Sequence, residues 1–510
     1  MTVPVDDRPL TPDEVIAVAR HGRPVRLTAG ARAAMRRSRA RVEALAELPE
    51  AVYGISTGFG ALAGTRIPAG RRSDLQHALV RSHAAGMGEE IEPEVVRAMM
   101  LLRMRTLATG RCGVRPEIAE ALGGLLNARL TPVVPVHGSL GASGDLAPLA
   151  HVALCLTGEG EARDATGRPQ PAATALAAAG LSPLRLEAKE GLSLVNGTDG
   201  MLAMLVLACA DALLLLRTAD VTAAMSVEAL LGTNRAFAAD LQELRPHPGQ
   251  AGSAANLWRL LLGSPIVASH RRSDHAVQDS YSVRCSPQVA GAARDTLAFA
   301  EQVAARELAA AVDNPVVLAD GRVESNGNFH GEPLAFACDF LAIAAAEVGA
   351  IAERRVDRLL DPHRSAGLPA FLAPEPGVNS GLMLAQYTAA ALVVENRLLA
   401  QPASVESIPT SGMQEDHVSM GWTAAVKLRR LLVNLGRILG VELLCAAQAL
   451  DLRAPLGAAE ATGAVRELVR TRVAPPGPDR FLALDLAAAE DLVRSGAVVG
   501  RAESVVGSLR

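Results

Sequence analysis

Long amphipathic segments in the second half of the chain set the first expectation about its fold. From Gly421 to Arg453 the leucines keep to one helical stripe, and the four basic residues between positions 427 and 437 lie off it, a pattern typical of a helix with one buried face. Residues 288–311 and 334–360 are alanine-rich and equally uninterrupted, and Pro287 precedes the first of them. Three long helices in one half of the chain predict a helical bundle.

Strand signals are few and short. The segment Pro315–Ser325 contains an Asp320-Gly321 turn between β-branched residues, and Glu161–Pro171 has the features of a second hairpin. Aromatic residues make up only 3% of the chain, while alanine and leucine dominate, which favours helix over a sheet core. We therefore expect an all-α fold with minor short hairpins.

Glycine-rich loops distinguish the first 200 residues from the rest. They are YGISTGFG, SHAAGMG, GSLGASGD and VNGTDG, and glycine at this density indicates shaped loops. From residue 201 onward long helices alternate with short polar turns, and the linker Ala474–Arg480 precedes a last helical segment. The pattern predicts an N-terminal domain over residues 1–200 that bears the loops, and a long-helix domain over residues 201–510.

Composition excludes several classes of protein. Apolar residues make up 49% of the 510-residue chain and charged residues 20%, which is enough to bury a large core. Fifty basic residues oppose 54 acidic ones, for a net charge of −4, so no general field for nucleic acid or an acidic membrane exists. We expect a globular protein without a nucleic-acid partner.

Three further signals concern the compartment. The six cysteines lie far apart, with no CxxC pair and no zinc spacing, and are expected to be buried thiols. The first residues are acidic and proline-containing, unlike a secretory signal. The most apolar stretch, Met201–Leu216, is interrupted by Asp211 and is expected to be too short and too polar to span a bilayer. These signals predict a cytoplasmic protein.

The segment GSLGASGDLAPLAH (Gly138–His151) holds the strongest candidate chemistry. Ser143 lies between small residues, but Asp145 stands where a hydrolase elbow needs glycine, which disfavours a nucleophilic serine. A flexible loop is one alternative. The other is autocatalytic: a strained turn brings the Gly144 nitrogen onto the Ala142 carbonyl, and loss of two waters leaves a conjugated imidazolone.

Two of the three tyrosines lie in other candidate motifs. Tyr53 begins YGISTGFG, where it is either an acid or base or an ordinary residue beside a turn. Tyr281 and Arg284 in VQDSYSVRC are three residues apart and share one helical face if the segment is helical. That spacing suits a single substrate, although a surface ion pair and a packing residue remain the alternative.

Ten motifs between residues 50 and 450 together resemble the histidine ammonia-lyases of the aromatic amino acid lyase superfamily. They are YGISTGFG, RSHAAGMG, GSLGASGDLAPLAH, EGLSLVNGTDG, VQDSYSVRC, DNPVV, ESNGNFHGEP, GVNSGLMLAQ, PASVESIPTS and MQEDHVSMGW. The resemblance implies an L-aspartase/fumarase-like helical bundle. It also implies that Ala142, Ser143 and Gly144 cyclise to 4-methylideneimidazol-5-one (MIO), with no external cofactor.

The resemblance further implies roles around the reacting end of an amino-acid substrate. Tyr53 matches the general base, and Asn196 matches the asparagine near the imidazolone oxygen, where a turn-forming asparagine is the alternative. Arg284 matches the arginine that binds the substrate carboxylate. Tyr281 and Gln278 match residues that line the amine and MIO side. Whether the substrate amine or its ring adds to the electrophile is left open by the sequence.

Residues on the ring side favour histidine as the substrate. His83 follows Ser82 as in the histidine-using members, and Glu415 matches a glutamate that accepts the ring N–H or handles its proton. Phe329 is expected to line or support the same pocket, beside His330. The alternatives are a core histidine at position 83 and a solvated helix start at Glu415. With no HExxH and no second histidine nearby in register, no metal is expected.

The activity implied is deamination of L-histidine to trans-urocanate and ammonia, the first step of histidine degradation, by a homotetramer with shared active sites. Three departures from the family motifs are mild: Ser56, Ser280 and Gly412-Met413 replace the common residues. The last of them adjoins Glu415 and concerns substrate choice. The rivals are a tyrosine or phenylalanine lyase or aminomutase, and a silent helical scaffold.

Overall fold

A computed structural model describes residues 2–48, 52–272 and 276–510. Its α-helices, in chain order, are α1 (Pro12–His21), α2 (Ala29–Ala46), α3 (Arg72–His83), α4 (Pro93–Ala108), α5 (Pro116–Asn127), α6 (Leu146–Leu156), α7 (Ala172–Ala178), α8 (Glu190–Val195), α9 (Asp199–Ala229), α10 (Ala239–Glu243), α11 (Pro248–Leu260), α12 (Pro265–Ser269), α13 (Tyr281–Arg284), α14 (Ser286–Ala309), α15 (Glu332–Leu360), α16 (Met383–Leu399), α17 (Gly421–Leu452), α18 (Glu460–Arg470), α19 (Leu482–Arg494) and α20 (Ala497–Val506). The three long helices predicted from periodicity correspond to α14, α15 and α17 within two residues at each end.

The strands are short and peripheral. They are β1 (Val3–Val5), β2 (Val25–Leu27), β3 (Met87–Glu90), β4 (Thr131–Pro132), β5 (Pro135–His137), β6 (Glu161–Arg163), β7 (Pro169–Pro171), β8 (Val316–Val317) and β9 (Val323–Glu324). Both predicted hairpins form, as the antiparallel pairs β6–β7 and β8–β9. The sequence did not predict the parallel pair β1–β2 or the antiparallel pair β3–β5.

Local sequence explains where individual helices begin and end. The Thr11 side chain accepts a hydrogen bond from the Glu14 amide, and the Glu14 carboxylate accepts one from the Thr11 amide, so a capping box opens α1. Pro12 occupies the first turn, where its missing N–H is harmless. Gly22 ends the helix in the left-handed conformation.

Two compact units divide the chain, and each is assembled from separate stretches. The first unit comprises Met1–Leu207, Glu301–Asp339 and Pro402–Val426; the second comprises Ala208–Ala300, Phe340–Gln401 and Lys427–Arg510. The predicted division into residues 1–200 and 201–510 stays a prediction about domains. The units differ from it because two later stretches pack with the first part of the chain.

Each unit has its own packed helices. In the first unit α4 contacts α1 and α5, and Met99, Met100 and Leu101 of α4 are fully buried. In the second unit α18 contacts α20 and α11. All six cysteines are outside disulfides, and Cys285 alone among them is half-buried rather than buried.

Within the described ranges, three helical segments are by length and composition able to cross a membrane: Glu190–Ala229, Glu332–Leu360 and Gly421–Leu452. The expectation that the apolar stretch after Met201 is too short to span is therefore wrong, because α9 continues through Asp211 to Ala229. The Asp211 carboxylate pairs with Arg429 at 2.6 Å, so the negative charge within this apolar helix has a cationic partner. Burial within the chain accounts for 78%, 56% and 89% of the three apolar windows, which is the environment of core helices.

A buried ion pair lies in the second unit. The Glu442 carboxylate accepts hydrogen bonds from Arg355 Nη2 at 2.9 Å and from the hydroxyls of Thr222 and Ser226 at 2.8 Å each. Both charged side chains are buried. A buried carboxylate depends on such partners, because its desolvation is otherwise unfavourable.

We expect Arg355→Met to destabilise the protein by about 3–5 kcal/mol, because it leaves the Glu442 charge buried without its cation. The apparent melting temperature in thermal denaturation measures the effect. The double variant Arg355→Met/Glu442→Leu should recover most of the loss, because both charges are then absent. A single variant that melts with the wild type would contradict this account.

Candidate active site

Three mutually contacting helices of the first unit carry candidate residues at their ends. Helices α3, α6 and α8 contact one another. His83 is the last residue of α3, the Ala142-Ser143-Gly144 turn directly precedes α6, and Asn196 follows α8. Pairing of β3 with β5 also brings the segment after His83 beside the segment that leads into the turn.

Backbone hydrogen bonds from distant segments hold the start of this turn. The Gly141 carbonyl accepts from Ser419 Oγ at 2.9 Å and from the Gly331 amide at 3.1 Å. The Leu140 carbonyl accepts from the Met420 amide at 2.8 Å. Residues near positions 331 and 419 therefore define the conformation of a loop near position 141.

Gly144 lies where no other residue fits. Its φ is +78°, and a Cβ atom there would overlap the carbonyl oxygen of Gly197, so that both backbone strain and contact select glycine. The next amide, that of Asp145, donates to the same carbonyl at 2.7 Å. The turn is thus fastened directly against the Asn196-Gly197 segment.

Asp145 is a buried residue whose structural role the sequence analysis missed. Its carboxylate accepts hydrogen bonds from Ser139 Oγ at 3.0 Å and from the amides of Gly200 and Met201 at 2.9 Å each. Burial raises the pKa of Asp145 to about 7, although these hydrogen bonds act to lower it. The sequence signal was an aspartate before a helix start, but the side chain serves the first turn of α9 rather than its own helix α6.

Asn196 contacts the central serine of the turn. Its Nδ2 donates to Ser143 Oγ at 3.1 Å, while its Oδ1 is buried without a hydrogen-bond partner among the described residues. Arg103, which is fully buried, donates to the Asn196 carbonyl at 2.8 Å and to the Val312 carbonyl at 2.7 Å. Arg103 thus fixes the backbone that carries Asn196, a role for which its sequence position gave no signal.

Tyr53 lies in a tight turn whose glycines are required by close contacts. Its hydroxyl oxygen accepts a hydrogen bond from the Gly60 amide at 3.3 Å, which orients the phenol. Gly54 has a φ of +70°, and a Cβ atom there would lie 2.8 Å from Leu192. A Cβ atom at Gly60 would lie 3.4 Å from Ser411 Oγ, so the Tyr53 segment lies beside the segment that leads to Glu415.

His83 and Glu415 interact electrostatically. Burial lowers the pKa of His83, and a hydrogen bond to the Leu79 backbone and the charge of Glu415 partly offset that effect. His83 Nδ1 lies 3.1 Å from Ser82 Oγ. Thr410 and Glu415 form an isolated antiparallel β-bridge, and the Thr410 hydroxyl donates a hydrogen bond to Glu415 Oε2 at 3.3 Å.

The Phe329 segment joins the same region. The next residue, His330, has its Nε2 atom 3.3 Å from the His417 carbonyl oxygen, and the two imidazole rings stack with centroids 5.8 Å apart. The sequence has no second histidine in register with His417, and the fold brings His330 to it from 87 residues away in the chain. Together with Glu332 they form a group of possible metal ligands.

Gln278, Tyr281 and Arg284 belong to the second unit. Tyr281 and Arg284 begin and end the short helix α13, which meets the condition set for a shared face, and the guanidinium carbon of Arg284 lies 4.8 Å from the centre of the Tyr281 ring. Arg284 Nε is buried without a hydrogen-bond partner among the described residues. Gln278 is exposed, and the neighbouring Asp279 carboxylate accepts from the Thr233 amide at 2.8 Å.

Comparison with known proteins identifies the class. The family model for aromatic amino acid lyases matches residues 10–471. The chain belongs to the aromatic amino acid lyase family, as its motifs predicted.

Relatives and solved structures cover the whole chain. A histidine ammonia-lyase of Streptomyces coelicolor is 59% identical over 510 residues, which is 100% of both chains. A tyrosine aminomutase structure from Streptomyces globisporus has a TM-score of 0.95 and 40% identity, and covers 100% of both chains. A histidine ammonia-lyase structure from Trypanosoma cruzi has a TM-score of 0.91 and 40% identity, and covers 99% of this chain and 96% of that one. These neighbours confirm the all-α fold of the aspartase/fumarase type.

Replacement of Gly144 by alanine tests the packing of the turn. Gly167 is a matched control, because it also has a positive φ but has nothing within 4 Å of a Cβ position. Gly167→Ala should lower stability only by the backbone strain of about 1–2 kcal/mol. Gly144→Ala should lower the melting temperature several times more, because the methyl group meets the Gly197 carbonyl. Equal decreases in melting temperature for the two variants would show that the turn can accommodate a methyl group at position 144.

Titration of His83 tests its proximity to Glu415. Because the negative charge of Glu415 raises the pKa of His83, the uncharged variant Glu415→Gln should lower that pKa further. The Cε1–H resonance of the ring, followed by NMR in protein with ¹³C-labelled histidine and assigned with His83→Asn, measures the shift. An unchanged or higher pKa of His83 in Glu415→Gln would show that the charge of Glu415 does not act on His83.

Proposed function

We propose that the chain is a histidine ammonia-lyase that converts L-histidine to trans-urocanate and ammonia, the first step of histidine degradation in the cytoplasm. The Asn196–Ser143 hydrogen bond, in a turn that only glycine permits, is the observation that carries this proposal. It gives the Ala-Ser-Gly tripeptide a polar partner at the serine hydroxyl. The alternative, a flexible loop without a chemical role, does not require a hydrogen bond at the serine hydroxyl.

The turn fits cyclisation to MIO. In that step the Gly144 nitrogen bonds to the Ala142 carbonyl carbon, and two waters leave, one with the carbonyl oxygen and one with the Ser143 hydroxyl. Small residues and the left-handed conformation at Gly144 permit the approach. The product supplies a conjugated methylidene electrophile that ordinary side chains lack, and no external cofactor is proposed.

Asn196 and the helix starts around the turn supply the electrostatics. Nδ2 of Asn196 donates to Ser143 Oγ, and this closeness to Ser143 supports a role for Asn196 in stabilising negative charge on the imidazolone oxygen, which derives from the Ser143 carbonyl. Helix α6 begins directly after the turn, and the amides that open α9 bind the adjacent Asp145. Helix N-termini favour negative charge nearby.

The other proposed roles follow the family motifs. Tyr53 is the proposed base for the β-proton, with its phenol oriented by Gly60. Arg284 is the proposed carboxylate ligand, and its buried Nε, which has no hydrogen-bond partner within the described part of the chain, leaves donor capacity for an anion. Tyr281 and Gln278 are proposed to line the amine and MIO side.

His83 and Glu415 are proposed to select the imidazole ring, with Phe329 beside them. A site built to hydrogen-bond a ring N–H rejects analogues that lack it by as much as about 10⁴–10⁵, because its polar groups then stay unpaired. Burial keeps the pKa of His83 low, which favours a neutral ring that can both accept and donate. The ring of phenylalanine offers no such hydrogen-bonding group for this pair.

A homotetramer with shared active sites is proposed as the working assembly. Phe299, Phe340 and Ile343 remain between 41% and 47% exposed in the second unit and line an apolar groove of about 740 Å³. An exposed apolar patch of this kind typically marks a protein interface. Light scattering should therefore give four times the chain mass of 52.9 kDa, and a monomer would contradict the assembly.

Purified protein should release urocanate and ammonia from L-histidine and no product from L-tyrosine or L-phenylalanine. The Ser143→Ala variant should lose this activity, because it lacks the hydroxyl that leaves as water. Mass spectrometry gives an independent readout, since the wild-type turn should be lighter by two waters than the encoded peptide and the variant should not.

Two other outcomes separate the rivals. Cinnamate, coumarate or a β-amino acid as product would keep the electrophile and overturn histidine as the substrate. A turn of full encoded mass, with no product from any amino acid, would indicate the silent scaffold.

A further inference from the structure

His330, Glu332 and His417 form a cluster in the first unit that the proposed reaction does not use. Their possible ligand atoms all lie within 4.8 Å of one another. His330 and Glu332 are half-buried and His417 is exposed, so that an ion has a route in from solvent. Two imidazoles and a carboxylate are the ligand set of catalytic zinc sites such as those of thermolysin and carboxypeptidase A.

The hydrogen bonds of His330 leave one ring nitrogen available. Its Nε2 lies 3.3 Å from the His417 carbonyl oxygen, and because a carbonyl can only accept, the neutral ring that makes this hydrogen bond is the tautomer with its proton on Nε2. Nδ1 then carries a free lone pair, and it lies 3.8 Å from Glu332 Oε2. A histidine ligand that donates its other N–H to a backbone carbonyl is the usual arrangement around protein-bound metals.

Glu332 supplies the second observation. Its Oε2 atom is buried and has no hydrogen-bond partner among the described residues. Buried carboxylate oxygens are ordinarily paired, and one without a partner needs an explanation. This oxygen faces the free nitrogen of His330, so a cation between the two atoms would satisfy both.

We propose that His330 Nδ1, Glu332 Oε2 and a ring nitrogen of His417 bind one divalent transition-metal ion of the zinc class. Tetrahedral zinc with bonds of about 2.0–2.1 Å places its donors roughly 3.3 Å apart, so the three side chains rotate inward by a fraction of the present separation. Three protein ligands leave a fourth position for water. The soft thiolates that would favour copper(I) are absent from this cluster.

The ion would connect two segments of the candidate site. His330 follows Phe329 directly, and His417 lies two residues after Glu415. At present the stacked rings and one hydrogen bond link these segments. A bound ion would therefore stiffen the ring side of the pocket without contacting the Ala142-Ser143-Gly144 turn.

The test titrates Zn²⁺ and Co²⁺ into the untagged full-length protein after dialysis against a chelator, without histidine or imidazole. We expect one equivalent per chain by calorimetry, and visible d–d absorption with Co²⁺ at the intensity of a four-coordinate site. His417→Asn and Glu332→Gln should each weaken binding by at least about 100-fold, since even the loss of a supporting residue typically reduces affinity 10–100-fold. His363→Asn, which removes an exposed histidine elsewhere, should bind as the wild type does.

Binding that persists in both cluster variants, or that falls equally in the His363 control, would overturn the proposal, as would no binding by the wild type. Should a variant fail to fold, as seen by circular dichroism, a wild-type crystal soaked in Zn²⁺ decides the question. Anomalous scattering at the zinc edge is then expected between the three side chains, and a peak elsewhere alone would refute the site. None of these readouts depends on lyase activity.

Discussion

The contact between the Ala-Ser-Gly turn and the segment after Asn196 is the constraint on which the rest of the candidate site depends. Gly144 lies so close to the Gly197 carbonyl that no side chain fits, and the Asp145 amide binds that carbonyl. The Asp145 carboxylate then holds the first amides of α9. One short stretch of backbone thus aligns the turn, Asn196 and the start of the longest buried helix of the first half of the chain.

Buried charges reinforce this contact and make it specific. Arg103 binds the backbone carbonyls of Asn196 and Val312, and the Lys189 ammonium pairs with Asp313 at 2.6 Å with both side chains fully buried. Removing one partner of such a pair leaves an unpaired charge in the core. The site is therefore rigid because its supports tolerate few alternative arrangements, a condition for electrostatic stabilisation without reorganisation.

The sequence pattern predicted those features of the fold that depend on residues close together in the chain. Long helices such as α17 follow from apolar periodicity, and the β8–β9 hairpin follows from its Asp-Gly turn, because each depends on residues within one element. The glycine-rich loop also nominated Ser143, and the resemblance to the family nominated Asn196 and His83. It did not predict Asp145 as a ligand of α9, Arg103 as a support of Asn196, or the approach of His330 to His417. Those contacts join residues far apart in the chain, and a single sequence carries no record of such distances.

The hydrogen bond from Ser419 to Gly141 spans 278 residues, which has a consequence for the order of events during synthesis. The turn emerges from the ribosome early, but the partners of its leading backbone carbonyls are made only when translation reaches residues 419 and 420. At about 5–20 residues per second, that interval is roughly 15–60 s. For this period the nascent turn lacks the hydrogen bonds that Ser419 and Met420 donate to the carbonyls of Gly141 and Leu140. A truncated chain that ends before residue 419 would therefore carry the tripeptide with its contacts to Gly197 but without these two donors on the segment that leads into it.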